Sequence, residues 1–107
     1  MVVWVELGST LGREQAGRRP ALVVASDAFL RKADTLAMIV PATTVDRGWP
    51  NHVQLSGPGL DLDSPIFAMT EQFRTISRSR IVGQAGVVSV GVMREVDRWL
   101  RDFLALP

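Results

Sequence analysis

Arginine, hydroxyl and amide side chains are the groups that could do chemistry in this chain of 107 residues. The chain has no cysteine and one histidine, His52, and eleven of its 12 basic residues are arginine. The lack of cysteine excludes disulfides, thiolate nucleophiles and iron–sulfur clusters, and a single histidine disfavours a histidine pair or a histidine-rich metal site. Any chemistry must then use Arg, Thr, Ser, Gln and carboxylate side chains, and we expect no metal ion and no cofactor.

Three arginines lie in a polar segment before the second apolar run, which reads Gly12-Arg13-Glu14-Gln15-Ala16-Gly17-Arg18-Arg19-Pro20. Pro20 restricts Arg19 to an extended backbone and so fixes its direction at the start of a strand. The planar guanidinium fork suits phosphate. Phosphate binding is one interpretation, and a solvated loop with a salt bridge to Glu14 is the other.

A second polar loop follows the third apolar run and begins with Thr43 and Thr44. Trp49 lies in this loop close to Arg47, and an exposed Trp beside an Arg is a candidate platform for stacking a nucleic-acid base. The alternatives are that Trp49 packs back onto the core and that the two threonines only cap the end of the strand.

The densest basic patch contains Arg74, Arg78 and Arg80. Strand alternation predicts that Gln72, Arg74 and Ile76 share one side. Phosphate binding is one interpretation of the patch. A solvated face of an edge strand is the alternative.

Short strands must position these side chains. Apolar and β-branched runs predict strands at Val2–Leu7, Pro20–Ala25, Thr35–Pro41, His52–Leu55, Pro65–Ala68 and Gln72–Ile76, with a strand or extended linker over Arg80–Gly86. A turn of helix is expected over Ala28–Lys32, after Asp27. For His52, at the start of its strand, we expect a strand-end hydrogen bond rather than a catalytic role.

Toward the C-terminus, the spacing of apolar residues changes from a period of two to a period of 3.6 residues. Its apolar positions predict an amphipathic helix with Ser89 as the N-cap: Met93, Val96, Leu100, Phe103 and Leu104. We therefore expect an α+β, mainly β fold, a small β-barrel with a packed C-terminal helix, as one domain over residues 1–107. Because no apolar run of about 18 residues and no basic-then-apolar leader are present, we expect no membrane span and a cytoplasmic location.

The three polar stretches resemble the MazF/PemK/Kid family of toxin–antitoxin ribonucleases. The resemblance rests on residues 12–24, on Val40-Pro41-Ala42-Thr43-Thr44 and on Glu71-Gln72-Phe73-Arg74-Thr75-Ile76, and residues 52–57 and Ser64 also fit. It extends from Trp4 to Leu106, and the order and spacing of all three stretches agree.

The resemblance implies an SH3-like (CcdB/MazF-type) barrel with a C-terminal helix, usually a homodimer. It implies a sequence-specific, metal-independent endoribonuclease toxin that cleaves single-stranded RNA, mostly mRNA and in some members tRNA or rRNA, and so stops translation and growth. A cognate antitoxin places its C-terminal segment over the RNA groove, and DNA is reached only through the antitoxin. The family's catalytic arginine falls on Arg19 and its catalytic threonine on Thr43. We expect the RNA-binding residues to be Glu14, Gln15, Arg18, Thr44, Arg47, Trp49, Gln72 and Arg74.

The expected mechanism takes its nucleophile from the substrate, because the 2′-hydroxyl of RNA attacks the adjacent phosphate. Arg19 would stabilise the developing negative charge and Thr43 would donate a hydrogen bond to a phosphate oxygen. No side chain is an obvious general base, and Glu14 is the candidate. Two alternatives are a gyrase poison on the same fold, disfavoured by the absence of a Trp-Gly-Ile tail, and a catalytically silent SH3-like protein-binding module, disfavoured by the presence of Arg19 and Thr43.

Overall fold

Seven short antiparallel strands and two helices make up the fold in the computed structural model, which describes residues 1–7 and 17–107. The strands are Val2–Val5 (β1), Arg19–Val23 (β2), Leu36–Thr43 (β3), His52–Gln54 (β4), Phe67–Met69 (β5), Arg74–Ser77 (β6) and Ile81–Gly86 (β7). The helices are Asp27–Lys32 (α1) and Val90–Phe103 (α2). Single 3-10 turns cover Thr70–Gln72 and Arg78–Arg80.

The long strand β3 organises the sheet. It pairs with β2 along one edge, and along the other edge its end pairs with β5 while its first half pairs with β6. The hydrogen-bonded path runs β4-β5-β3-β2-β1-β7. The expected mainly β fold is confirmed, but over the described ranges β4 and β7 remain the two ends of the path, so hydrogen bonding does not close the expected barrel.

Two apolar clusters lie on the two faces of this sheet, because successive strand residues point to opposite sides. Leu22 and Val40 pack with the fully buried Val96 of α2. Ala21 and Ile39, one position along each strand, belong to the second cluster. Helix α2 therefore covers one face of the sheet and leaves the other to the second cluster.

The predicted C-terminal helix is confirmed, with its cap. The hydroxyl of Ser89 accepts a hydrogen bond from the Val92 amide at 3.3 Å, which satisfies one of the open donors of the first turn. Helix α1 begins at Asp27 rather than Ala28, and Ser26 caps it by accepting from the Phe29 amide at 3.1 Å. In the part of the chain that the structure describes, no helix has the length and apolar character to cross a bilayer.

Two predicted strand boundaries near the polar stretches are wrong. Strand β3 continues to Thr43, two residues beyond the predicted end at Pro41. Pairing with β5, in which Thr43 lies opposite Phe67, supplies partners to residues whose local sequence indicates a loop. Gln72 does not belong to a strand with Arg74, because it ends a 3-10 turn.

This turn is a three-residue insertion in the ladder. Ala42 pairs with Ala68 and Ile39 pairs with Arg74, so three steps along β3 face six steps along its partner. The extra residues are Thr70–Gln72. Insertions of this kind redirect side chains and are frequent next to active sites. Here the insertion leaves Glu71 and Gln72 outside the regular pairing and exposed.

Candidate active site

Arg19 and Thr43 lie at neighbouring ends of β2 and β3. The register pairs Ala21 with Pro41, and its continuation by two residues to the strand ends brings Arg19 opposite Thr43. Opposed residues in an antiparallel pair share a face, with Cβ atoms roughly 5 Å apart. The alternation puts this pair on the face of the second cluster, with Ala21 and Ile39, away from α2.

One open cleft contains both side chains. It has a volume of ≈ 280 Å³ and is lined by Gly17, Arg18, Arg19, Pro20, Ala42, Thr43 and Thr44. Arg18, Arg19 and Thr44 are exposed. The cleft thus brings together four of the ten residues that the sequence predicts for the site, and two guanidinium groups at its edge favour an anionic ligand.

The hydroxyl of Thr43 has a defined partner. Its oxygen accepts a hydrogen bond from the Val45 amide at 3.1 Å, which turns the chain away from the strand. A hydroxyl has one hydrogen to donate besides its two acceptor positions. The hydrogen of Thr43 therefore stays available for an acceptor in the cleft, such as a phosphate oxygen, and the expected capping role is also fulfilled.

Trp49 lies on the loop after β3 and is 51% exposed. One side of the indole packs on His52, with ring centroids 4.8 Å apart and the planes tilted by 53°. The guanidinium carbon of Arg47 lies 5.8 Å from the indole centroid. The ring packs on its neighbour and leaves half of its surface exposed, and the stacking role of Trp49 stays a prediction.

The expected strand-end hydrogen bond of His52 is present. Its Nε2 atom lies 3.1 Å from Oε1 and 3.2 Å from Oε2 of Glu71. Partial burial raises the pKa of Glu71, but hydrogen bonds from its own backbone amide and from His52, with the electrostatic attraction of His52, lower it further. The net effect holds the pKa of Glu71 below its ordinary value and favours the carboxylate.

The basic patch separates into one surface arginine and two structural ones. Arg78 donates to the backbone carbonyls of Leu30, Ala33 and Leu36 at 2.8–3.2 Å. Arg80 donates to the carbonyl of residue 6 at 3.1 Å. Arg74 is exposed and lies opposite Ile39, hence on the same sheet face as the cleft. Of the three arginines, Arg74 is therefore the one that stays a predicted phosphate contact.

Predicted site residues fall into four groups. Four line the cleft; Arg47 and Trp49 lie on the loop beyond it; Gln72 and Arg74 lie on the interrupted partner of β3. Glu14 and Gln15 lie outside the described residues. No cluster of three or more possible metal-ligating side chains occurs within residues 1–7 and 17–107.

The sequence analysis missed the role of Glu71 as a hydrogen-bond acceptor for several donors. Besides His52, Glu71 accepts from Asn51 at 2.7 Å and from Gln72 at 3.4 Å. The available signal was a carboxylate beside a buried strand, which needs partners. Its main partners lie 19 and 20 residues away, so the sequence did not identify them.

Comparison with known proteins decides the family. A sequence profile of the PemK-like, MazF-like toxins of type II toxin–antitoxin systems matches residues 1–104. The chain belongs to this family.

Curated relatives of this PemK/MazF family member are named as endoribonucleases. Endoribonuclease MazF6 of Mycobacterium tuberculosis is 30% identical over 107 residues, which cover 98% of this chain and 94% of the relative. Endoribonuclease toxin MazF of Escherichia coli is 35% identical over 89 residues, 82% of this chain and 76% of the relative. The family and the enzyme class predicted from the sequence are confirmed, and neither alternative function is favoured.

A solved structure of the family has the same fold. A chain in the crystal structure of MazE-MazF from Deinococcus radiodurans superposes with a TM-score of 0.79 at 28% identity, covering 99% of this chain and 93% of that one. The predicted α+β, mainly β architecture with a C-terminal helix is thereby confirmed.

Proposed function

We propose that this PemK/MazF family member cleaves single-stranded RNA through Arg19 and Thr43, without a metal ion or cofactor. The observation that carries the proposal is the placement of these two side chains opposite each other in one cleft. Residues 1–107 form one domain that acts in the cytoplasm and stops translation by cutting mRNA, with tRNA or rRNA as further targets.

The reaction uses the 2′-hydroxyl of the substrate as the nucleophile. In-line attack on the neighbouring phosphate breaks the bond to the 5′-oxygen of the next nucleotide, and leaves a cyclic phosphate and a 5′-hydroxyl end. Arg19 stabilises the negative charge that develops on the phosphate oxygens, and Thr43 donates a hydrogen bond to one of them. A fixed cross-strand pair needs little rearrangement during the reaction.

The remaining predicted residues bind the RNA chain. Arg18 and Thr44 share the cleft with the reacting pair, and Arg74 extends the positive charge along the same face. We include Arg47, Trp49 and Gln72 as contacts beyond the cleft. Glu14 and Gln15 complete the set, with Glu14 as the candidate general base.

The proposed protein partners are a second copy of this chain and a cognate antitoxin. The Deinococcus structure is a MazE-MazF structure, which supports a toxin–antitoxin pair here. The C-terminal segment of the antitoxin covers the RNA groove, so antitoxin and RNA exclude each other, and the toxin reaches DNA only through the antitoxin.

The test is digestion of a long single-stranded RNA in EDTA, with mapping of both new ends. The wild-type protein is expected to cut at a short recurring motif and to leave cyclic phosphate ends, whereas Arg19→Ala keeps its fold and loses cleavage. Arg94→Ala, which changes an exposed arginine on α2, is the matched control and keeps full activity. Full cleavage by Arg19→Ala would exclude the assigned role, and no cleavage by the wild-type protein would exclude the function.

A further inference from the structure

The Glu71 carboxylate joins two RNA-contacting segments of the proposed site. Three donors converge on it: His52 Nε2 at 3.1 and 3.2 Å, Asn51 Nδ2 at 2.7 Å and Gln72 Nε2 at 3.4 Å. Because a carboxylate only accepts hydrogen bonds, each of these nitrogens must carry the hydrogen. Glu71 therefore connects the end of the loop after β3 to the inserted turn that carries Gln72.

A hydrogen bond that does not involve Glu71 strengthens this connection. The hydroxyl of Thr70 donates to the carbonyl of Asn51 at 2.6 Å, and Thr70 is fully buried. The loop and the turn are thus held together by both backbone and side-chain contacts, although 19 residues separate them in sequence. Movement of one segment would disturb the other.

Burial of a histidine at position 52 has a cost in folding free energy. Its side chain is 2% exposed, and its Nδ1 atom is buried with no hydrogen-bond partner among the described residues. A buried polar atom without a partner destabilises a fold, so an apolar side chain would serve packing better. The imidazole makes two contacts that explain its presence, the hydrogen bond to Glu71 and the ring contact with Trp49.

His52 holds Trp49 in two ways. Its backbone amide donates to the Trp49 carbonyl at 3.0 Å, and its ring supports the indole at a centroid distance of 4.8 Å. The indole keeps 51% of its surface exposed. The guanidinium carbon of Arg47 also lies 5.8 Å from the indole centroid, so His52 and Arg47 both restrict the ring. An aromatic ring held in this way and still half exposed can stack a base without ordering the ring at the moment of binding.

We propose that His52, oriented by Glu71, is a positioning residue that presents the indole of Trp49 to a base of the bound RNA. The inference rests on the proposed function and deepens it. His52 does not touch the reacting atoms, and its effect on RNA passes through Trp49. Removal of a stacking aromatic weakens binding by roughly 5- to 150-fold, so loss of its support should raise KM by part of that range.

The experiment is a double-mutant cycle between His52→Gln and Trp49→Ala, with cleavage of a short RNA that carries one mapped site. His52→Gln keeps an amide donor for Glu71 and removes the ring, and His52→Phe keeps the ring and removes the donor. Each variant is expected to raise KM at least about threefold and to leave kcat within about twofold, whereas neither adds a further increase in the Trp49→Ala background. Val53→Ala, a buried change in the same strand, lowers stability and leaves KM unchanged.

A second readout needs no RNA. The difference in fluorescence between each protein and its Trp49→Phe counterpart isolates Trp49 from the other two tryptophans. Acrylamide should quench this signal more strongly in both His52 variants than in the wild-type protein, and equally in Val53→Ala. Since this measurement does not depend on cleavage, it tests the position of Trp49 even if the proposed function fails.

Three outcomes overturn the inference: unchanged quenching in both His52 variants, unchanged KM in an active enzyme, or an equal rise in KM with and without Trp49. If the wild-type protein does not cleave RNA but both His52 variants are quenched more strongly than it is, His52 is still the support of Trp49. The RNA function would then be refuted separately. If one His52 variant does not fold, the other decides.

Discussion

Thr43 serves the backbone and the proposed reaction at the same time. Its oxygen accepts from the Val45 amide at 3.1 Å, and its own hydrogen stays available for an acceptor in the cleft that Thr43 shares with Arg19. A hydroxyl can accept one hydrogen bond while it donates another, so the two contacts do not compete. Substitutions at Thr43 can therefore separate its contact with the backbone from its proposed role as a hydrogen-bond donor.

Replacement of Thr43 tests the donor. Thr43→Val removes the hydroxyl and should lower kcat by about 10²-fold, the typical effect of losing one donor to a developing oxyanion. Thr43→Ser keeps the hydroxyl and should stay within about fivefold of wild type, because the Val45 contact remains possible. Single-turnover cleavage in EDTA measures both. Equal activity of the Val and wild-type proteins would limit Thr43 to a structural role.

Arg74 should act through charge alone. Arg74→Ala is expected to weaken RNA binding for all sequences and to reduce the slope of log K against log salt by about 0.7 for one lost phosphate contact. Arg78→Ala is the matched control: it removes donors to three backbone carbonyls, lowers stability by about 1–3 kcal/mol and leaves the slope unchanged. Filter-binding titrations from 50 to about 300 mM salt would show the difference, and an unaltered slope in Arg74→Ala would assign Arg74 to the fold.

Glu71 should contribute stability that depends on pH. Its folded pKa lies below the ordinary value of 4.5, so the carboxylate stabilises the folded state above that value and loses this contribution as the pH falls through the folded pKa. The stability difference between the wild-type protein and Glu71→Gln should be largest at neutral pH and shrink in acid. Urea unfolding at several pH values measures it; a difference independent of pH would contradict the carboxylate's role.

At the residue scale, the sequence predicted which side chains belong to the candidate site. It could not predict which hydrogen bonds each of them makes. Pro20 and the position of Arg19 before it predicted a guanidinium held at the start of a strand; Arg19 lines the cleft, and its role stays a prediction. Arg78 and Arg74 are indistinguishable in sequence, because only the fold shows that three carbonyls surround Arg78. Distant hydrogen bonds decide such roles.

The element that fixes most of the site is β3. It carries Thr43 at its end, holds β2 with Arg19 on one edge, and holds β5 and β6 with the inserted turn on the other. Alternation within 72–76 predicted a continuous strand, but the three-residue insertion arises from pairing with β3 and leaves no local pattern. The C-terminal helix was predictable because its period and its Ser89 cap are local signals.

The junction between the turn at Gly57 and helix α2 tolerates no side chain. A Cβ on Gly57 would lie 2.5 Å from the carbonyl oxygen of Val87 and 2.8 Å from the amide nitrogen of Ser89. Gly57→Ala should therefore lower the free energy of unfolding by about 1–3 kcal/mol.

Gly91→Ala is the control for this junction. A Cβ there meets nothing within 4 Å, and the helical position favours alanine by about 0.5–1 kcal/mol. Thermal unfolding should give a Tm below that of the wild type for Gly57→Ala and a Tm above it for Gly91→Ala. Equal stability of Gly57→Ala and wild type would show that the junction can shift.

At the scale of the whole molecule, the two faces of the sheet differ in what lies on them. Helix α2 and its cluster close one face, and the Arg19–Thr43 cleft opens at the rim of the other. Strand β7 ends the sheet beside exposed apolar side chains, with Val82 45%, Val87 58% and Val90 67% exposed.

The expected assembly is a homodimer. Light scattering after size exclusion should give a mass of twice the 11.7 kDa of one chain at micromolar concentration. Arg19→Ala should give the same mass, because the cleft residues do not build the core. A mass of one chain at every concentration would refute the dimer and leave the cleft chemistry to be tested separately.

The insertion of Thr70–Gln72 opposite β3 separates two kinds of segment. The strand ladder must keep its sequence to hold the candidate cleft, whereas the loop and the inserted turn outside it are free to change. The proposed reacting pair lies in the ladder between β2 and β3, whereas Trp49 and Gln72 lie on a loop and an insertion outside that ladder. Exchanging residues 44–51 together with 70–72 between relatives should therefore move the recognised nucleotide motif and leave the chemistry of cleavage intact. Evolution could diversify targets in this way, with the two segments changing jointly because Glu71 and His52 bind them to each other.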